Sequence, residues 1–252
     1  MGEFTVAVSG ATSGFGQEIA RVFAAKGARL ILIARRAERL ATLAEEFGTD
    51  RVHTIACDVR DAAAYAALLG AVPDEFAAID VLVNNAGLGL GRDLAQDSQL
   101  PDWLAMVETN VTGLMAGTHA VLPGMVARKR GHIVNIGSVA SAFPTPRNAV
   151  YAASKAFVRQ FGPGLRADLL GTGVRVTDIE PGQSEGTEFA AVRAKTDRGT
   201  EPILAGGNEL LTAEDIAAAV EWAVGRPPHV NVNLVQLMSI DQSFGPMVYA
   251  KA

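Results

Sequence analysis

Cysteine is almost missing from this chain: Cys57 is the one thiol in 252 residues, so no disulfide can close within it. A disulfide-stapled fold is excluded, and such sparing use of cysteine suits a reducing cytoplasm. Histidine is scarce too. His53, His119, His132 and His229 are scattered without the short spacings that gather ligands around a metal, so no metal site is expected. Nowhere do five like charges follow one another, and 22 Lys plus Arg against 27 Asp plus Glu give a formal charge of -5. That leaves no basic stripe for nucleic acid or for an anionic membrane surface. The longest apolar stretches, such as Leu30 to Ala34, fall far short of the ~20 residues that cross a bilayer. The chain enters a strand-like run at its start, with no secretory pattern before it. These absences predict a cytoplasmic protein with a small-molecule partner and no nucleic-acid or membrane partner.

What is present is enough apolar residue for a large core: 49% hydrophobic against 19% charged, at a mean hydropathy of +0.20. Disorder and collagen-like builds are excluded. Short β-branched runs alternate with helical patterns, predicting strands over 4–8, 29–34, 52–56, 78–83, 132–136, 174–179 and 230–237. Helices are predicted over 14–26, 36–47, 103–127, 150–169 and 213–224. The strands read as continuous apolar runs, as they do when helices cover both faces of a parallel sheet. The expected fold is α/β, a doubly wound Rossmann-type sheet of seven mainly parallel strands with helices on both faces, in a single domain over 1–252. The stretch 182–208 has no clear period and is rich in Gly, Thr and charge, which predicts a mobile substrate lid with Gly182, Gly186, Gly199, Gly206 and Gly207 as pivots.

Strand one runs into a helix through Ser9-Gly10-Ala11-Thr12-Ser13-Gly14-Phe15-Gly16. Glycines in a Gly-x-x-x-Gly-x-Gly spacing let the backbone turn sharply and let a pyrophosphate approach the positive end of the helix. A plain strand-to-helix turn could use the same residues; their position after the first strand of a parallel sheet is what predicts a dinucleotide. Strand two ends in Ala34-Arg35-Arg36, where an NAD-preferring protein usually carries an acid. A guanidinium there pairs with a 2′-phosphate, so NADP(H) is the expected cofactor. Arg35 and Arg36 also sit at the unfavourable positive end of the next helix, which argues for a bound anion rather than mere solvation. Asp58 and Val59 follow strand three, where Asp58 is placed either to accept from an adenine amino group or to shape a turn. Cys57 reads as a small core residue. Strand four closes on Asn84-Asn85-Ala86-Gly87 at the sheet edge where open α/β folds bind ligands, so Asn85, Ala86 and Gly87 are expected to line a cofactor ribose.

The catalytic signal is Tyr151-Ala152-Ala153-Ser154-Lys155, whose i, i+4 spacing places phenol and ammonium on one helix face. A phenol releases its proton near pH 10. Bringing that to neutrality is worth roughly 4 kcal/mol, with the sign a neighbouring cation supplies. Such a pair is often only a surface pair. Ser138 at the end of an earlier strand changes the reading, because its hydroxyl can bond and orient a carbonyl oxygen.

Together these motifs resemble the short-chain dehydrogenase/reductase superfamily over essentially the whole chain. Gly10, Gly14 and Gly16 match its glycine motif, Asn84-Asn85-Ala86-Gly87 its structural motif, and Ser138, Tyr151 and Lys155 its catalytic residues; Ser9 stands where the family usually has Thr. The resemblance implies that Thr12, Ser13 and Phe15 join the cofactor turn and that Asn110 holds a water in a relay to Lys155. It also implies that Pro181 and Gly182 pack at the nicotinamide, that Thr187 bonds its carboxamide, that Lys155 bonds the ribose, and that the chain forms a homotetramer. Longer strings, among them His119 to Val126, Lys155 to Phe161 and Arg175 to Gly182, are similar to the NADP-dependent 3-hydroxy acid dehydrogenases, a group that includes serine and allo-threonine dehydrogenases.

The expected activity is hydride transfer between the nicotinamide of NADP(H) and a carbonyl or secondary alcohol. Gln183-Ser184-Glu185 departs from that subgroup, so the expectation is a bulkier, uncharged ketone. The alternative is a 3-hydroxy acid or β-hydroxy amino acid, with Arg147 or Arg193 capturing its carboxylate. A non-catalytic NADP-binding sensor is a remote third reading.

Overall fold

Seven parallel strands form the sheet of the computed structural model, which describes residues 4–194 and 209–244. They are β1 (Thr5–Ser9), β2 (Arg29–Ala34), β3 (Val52–Ala56), β4 (Ile79–Asn84), β5 (Gly131–Ile136), β6 (Val174–Pro181) and β7 (Leu234–Leu237), in the order β3-β2-β1-β4-β5-β6-β7. The helices are α1 (Gly14–Ala25), α2 (Ala37–Phe47), α3 (Ala62–Gly70), α4 (Asp74–Ala77), α5 (Leu100–Val107), α6 (Leu114–Ala127), α7 (Ala149–Asp168), α8 (Phe189–Ala194) and α9 (Ala213–Val224). Alternate strand residues feed two cores. Val6, Val8, Leu30 and Leu32 pack with Ile19 and Phe23 of α1, Leu40 of α2 and Val220 of α9. Ala7, Ile31, Ile33 and Leu82 pack on the other face with Tyr65 of α3, Met125 of α6 and Leu165 of α7. Each fully buried Leu or Ile contributes about 1.5–3 kcal/mol, so neither face leaves room for the polar alternation of a solvated sheet. Every pairing is parallel, where the sequence predicts a mainly parallel sheet.

Several elements differ from the sequence reading, among them the short helices α4 and α8, which it did not foresee. The helix predicted over 103–127 begins at Leu100 and is interrupted by a π-helical turn over Glu108–Gly113. Tight packing accompanies the extra residue: a Cβ on Gly113 would stand 2.9 Å from Val59, and one on Gly117 would stand 2.6 Å from the Tyr65 hydroxyl. Hydrophobic period carries no signal for such an insertion. The strand predicted over 230–237 is shortened to Leu234–Leu237, because Asn231 takes over the ladder with its side chain, accepting from Val176 N at 2.8 Å and donating to Val176 O at 2.9 Å. Helix α3 was not predicted at all; its Ala-rich run is apolar on every side and has no helical period to read. Residues 195–208 of the expected lid, with Gly199, Gly206 and Gly207, lie outside the described residues. Among the described residues no helix is long and apolar enough to cross a membrane.

His132 on β5 is buried among these layers, with Nε2 2.7 Å from the Thr177 hydroxyl. That hydroxyl already donates to Val232 O at 2.7 Å, so the imidazole must be the donor and is held as the neutral Nε2–H tautomer. Burial, helped by Arg175, pushes its pKa down to about 3. The unfolded chain therefore takes up a proton below about pH 6.5 that the folded chain refuses, and stability falls as pH drops through that window. From pH 6.5 to 4.5 this group alone should remove about 2 kcal/mol. Urea midpoints at the two pH values should show that loss in the parent and a correspondingly smaller one in His132→Gln; equal losses would contradict it.

Candidate active site

The order of strands reverses beside β1, so the carboxyl ends of β1 and β4 part and leave a crevice. Ser9 stitches its floor. Its hydroxyl donates to Val83 O at 3.3 Å and accepts from the N–H groups of Asn85 and Ala86 at 3.1 and 3.0 Å, while Asn85 Nδ2 donates to Ser9 O and Gly10 O. A hydroxyl is all this junction uses, so serine in place of the family's threonine leaves it intact. Gly10 and Gly14 lie at φ +68° and +51°, and a Cβ on Gly10 would stand 2.9 Å from Asn85 Nδ2. At the start of α1, Ser13 makes no side-chain cap and the first turn holds no acid, so the positive helix end is free for an anion. Phe15 packs into the core beneath, and Thr187 lies over Gly14, its methyl 3.0 Å from where a Cβ would be.

The two predicted arginines part company. Arg35 is exposed and its charge acts on Asp58. Arg36 turns toward the glycine turn, donating to Thr12 Oγ1 at 3.2 Å and pairing with Glu188 at 2.9 Å. Arg39, which the sequence did not single out, joins the same carboxylate at 2.7 Å. Burial pushes Glu188 up, but the two arginines outweigh it and hold the carboxyl below its ordinary range. Arg36 and Arg39 are thus already arranged around one anion. Asp58 holds Arg60 with Oδ2, at 2.7 and 3.0 Å, which keeps its own carboxyl low; both its oxygens carry donors in this structure. Val59 serves the packing of the π turn.

Tyr151, Lys155, Ser138 and Asn110 converge at the ends of β4 and β5. The Ser138 hydroxyl caps the short turn after β5 by accepting from Ala140 N at 3.2 Å and lies beside the phenol of Tyr151. Lys155 is buried, its Nζ donating to Ile136 O at 2.7 Å and standing 5.9 Å from the centroid of the Tyr151 ring. Burial pushes Lys155 down to about 8. It pushes the phenol up, against the opposing pull of Ser138 and of Arg193. Desolvation outweighs the nearby cation, so in this structure the phenol moves opposite to the expected direction. Asn110, in the π turn, accepts from Leu88 N at 2.8 Å and donates to Leu88 O and to Ser154 Oγ, both at 2.9 Å. It clamps the β4 loop to α7. A Cβ on Gly87 would stand 3.3 Å from Lys155 Nζ, so that loop passes directly over the ammonium, and Ala86 lies on the second core just before it.

The segment after β6 closes the other side. Pro181 ends the strand opposite Leu237, and Gly182 N donates to Leu237 O at 2.7 Å. Phe189 packs its ring 5.4 Å from that of Tyr151. Arg193, half-buried, donates to Gly91 O and to Arg147 O, and its charge acts on the phenol. Glu185 is exposed and lines a pocket of about 270 Å³ with Gly14, Gln17, Glu18 and Glu214, near the starts of α1 and α9. Gly89, where a Cβ would stand 2.9 Å from the Phe189 ring and 3.3 Å from that of Tyr151, and Arg39, Glu188 and Phe189 are residues of this region the sequence reading did not single out. Gly89 lies two residues past the strand-four motif, which is a signal that could have found it; the other three carry no local signal, since each depends on which turn the chain brings against it.

Residues 4–198 match the short chain dehydrogenase family. The chain is 50% identical over 239 residues to an NADP-dependent 3-hydroxy acid dehydrogenase of Salmonella typhi, covering 95% of this chain and 96% of that one. It is 47% identical over 249 residues to a serine 3-dehydrogenase of Agrobacterium fabrum, covering 98% and 99%. Among solved structures, the closed form of serine dehydrogenase complexed with NADP+ superposes with a TM-score of 0.95 at 46% identity, covering 99% of this chain and all of the other.

A 2′-phosphate entering the crevice would replace Glu188 between Arg36 and Arg39. Arg36→Ala or Arg39→Ala should then weaken NADPH binding at least tenfold, about 1.4 kcal/mol, while NADH binding changes little. Fluorescence titration with both nucleotides decides it, and equal effects on the two would remove both arginines from phosphate recognition.

Proposed function

Because the chain belongs to the short chain dehydrogenase family and is an NADP-dependent dehydrogenase, we propose that it oxidises short 3-hydroxy acids, β-hydroxy amino acids such as serine among them, and reduces the corresponding 3-oxo acids. The carrying observation is Arg193, a half-buried cation whose charge reaches the phenol of Tyr151. A carboxylate three bonds from the reacting carbon needs such a cation within the pocket. Two further observations support the acid over the bulkier neutral ketone expected from Gln183-Ser184-Glu185. Glu185 faces the other pocket, where it would not repel a substrate carboxylate, and the likeness to 3-hydroxy acid and serine dehydrogenases runs along nearly the whole chain.

The residues present suit NADP. The crevice offers a glycine turn with no side chain to obstruct a pyrophosphate, a helix start without its own cap, and Arg36 with Arg39 for a 2′-phosphate. Thr12, Ser13, Gly16, Asn85, Ala86, Gly87, Pro181 and Gly182 border the same crevice, and Thr187 covers it. When bound, NADP supplies the hydride acceptor or donor. In oxidation, the Tyr151 oxygen takes the proton of the substrate hydroxyl; in reduction it returns one to the carbonyl oxygen. Ser138 donates to that same oxygen and fixes its position. Lys155 favours the phenolate by its charge, which matters because burial alone disfavours it. Asn110 holds α7 and the β4 loop at the spacing these roles require.

We also assign the chain to a homo-oligomer, in keeping with an expected tetramer. Leu100, Leu104 and Val107 form an exposed apolar stripe along α5, and Phe157 is exposed on the adjoining α7. Light scattering at micromolar concentration should give a multiple of the 26.3 kDa chain mass; a single-chain mass would end that assignment.

The substrate proposal is tested by kcat/KM for serine and 3-hydroxybutyrate against an aryl ketone. The acids should lead, and Arg193→Ala should cost them about a hundredfold, roughly 2.7 kcal/mol of transition-state binding. Neutral secondary alcohols should be little affected. A parent enzyme preferring the ketone, or an Arg193→Ala variant weakened equally on both classes, would overturn it.

A further inference from the structure

Two carboxyl groups lie two residues apart on β6, on the same face of the sheet, and their surroundings differ. Glu180 is fully buried yet well satisfied: Arg159 donates to it at 2.8 Å, Gln236 at 2.9 Å and the Ser141 hydroxyl at 2.6 Å. Asp178 is 2% exposed, and neither of its oxygens accepts a hydrogen bond among the described residues. It lies tight beneath the end of β5, where a Cβ on Gly137 would stand 2.7 Å from Oδ1. The N–H of Gly137 is close enough to pull the carboxyl down, but its hydrogen bond goes to Ile179 O at 2.7 Å. On β5 the register partner of Asp178 is Asn135, whose Nδ2 likewise donates to nothing. A buried carboxyl without partners is costly and calls for a reason.

That reason lies across the same strand end. The Lys155 ammonium is bonded to Ile136 O, the residue before Gly137, and Ser138 follows directly, so ammonium and carboxyl flank the peptide that carries the serine. The charged and titratable groups facing this space are Tyr151, Lys155 and Arg159 from α7 and Asp178 and Glu180 from β6; β5 contributes the Asn135 amide and the Ile136 carbonyl. Glu180 is engaged with Arg159. Burial drives Lys155 down, and Asp178 is the charge that opposes this. Burial and Glu180 push Asp178 up to about 7, against the pull of Lys155, Arg159 and the Gly137 N–H, so it is ionised in the range where Lys155 would otherwise lose its proton.

We propose that Asp178 is a positioning residue for the reaction: from beneath the end of β5 it keeps the Lys155 side chain charged and so sets the alkaline limit over which the Tyr151–Lys155 pair works. The inference rests on Tyr151 and Lys155 being the reacting pair.

Asp178→Asn keeps the shape and removes the charge. Below Asp178's own titration the carboxyl is neutral in the parent too, and Lys155 is charged in both proteins, so their rates should coincide near pH 6. Above it the profiles should part, with the alkaline limb of kcat moved down by about one pH unit and the rate at pH 9 lowered about tenfold. A role in packing alone would lower the rate by one factor at every pH, and that result or an unchanged limb would overturn the proposal. If Asp178→Asn does not fold, carbon NMR of aspartate carboxyls in the parent gives the second reading. One carboxyl should titrate near neutrality, and its midpoint should rise in Lys155→Met, because the coupling is reciprocal. No such carboxyl, or no movement, would also overturn it. Tyr151→Phe, measured beside these, separates the two failures. Its retention of turnover would sink the reacting pair itself; an inactive Tyr151→Phe beside an unshifted Asp178→Asn would sink only the role of Asp178.

Discussion

The hydroxyl of Ser9 joins the ends of β1 and β4 at the one place where the strand order reverses, and the rest of the site is laid out from that junction. Parallel strands covered by helices on both faces have no freedom to shift register without exposing a core, so the crevice between these two ends is fixed in place. Asn85, bonded to Ser9 O and Gly10 O, holds the glycine turn open on one side of the crevice and starts the loop over Lys155 on the other. One small polar contact therefore sets both the glycine turn and the loop over Lys155.

Desolvation is the main force on the reacting groups. It raises Tyr151, lowers Lys155 and raises Asp178, drawing the ammonium and the carboxyl toward neutrality and toward each other. Groups that in water titrate more than six pH units apart are brought close enough to exchange influence. Charges from Arg193, at the phenol, and Asp178, at the ammonium, oppose these shifts without reversing them.

The segment from Gly182 to Ala194 links the two ends of the crevice. Thr187 covers the glycine turn, Glu188 occupies the arginines, Phe189 packs on the Tyr151 ring and Arg193 reaches the phenol, all within seven residues. Whatever replaces Glu188 at the arginines must move the residue next to Phe189. The contacts at the arginines and those at the Tyr151 ring are thus carried by one short helix and the turn before it.

The sequence by itself determined the βα alternation, the parallel sheet and the glycine turn, and it pointed to Tyr151 and Lys155 as neighbours, because each rests on local spacing: continuous apolar runs, glycines at a strand-to-helix turn, an i, i+4 pair; Asn110 was singled out only by the family resemblance. It did not reveal helix α3, whose apolar run has no period, or the π turn that carries Asn110, whose extra residue leaves the hydrophobic pattern unbroken. It paired Arg35 with Arg36, whereas the fold sends Arg35 outward and brings in Arg39, one helical turn along from Arg36. It read Gln183-Ser184-Glu185 as a departure that shapes the substrate pocket, whereas the fold leaves Glu185 exposed beside Gly14, Glu18 and Glu214. Above all it could not say that burial would raise the phenol of Tyr151 against the charges around it, a balance that only the tertiary structure decides. Spacing says which charges are near, but burial says how much each one costs, and burial is a property of everything packed around the site rather than of the residues that form it.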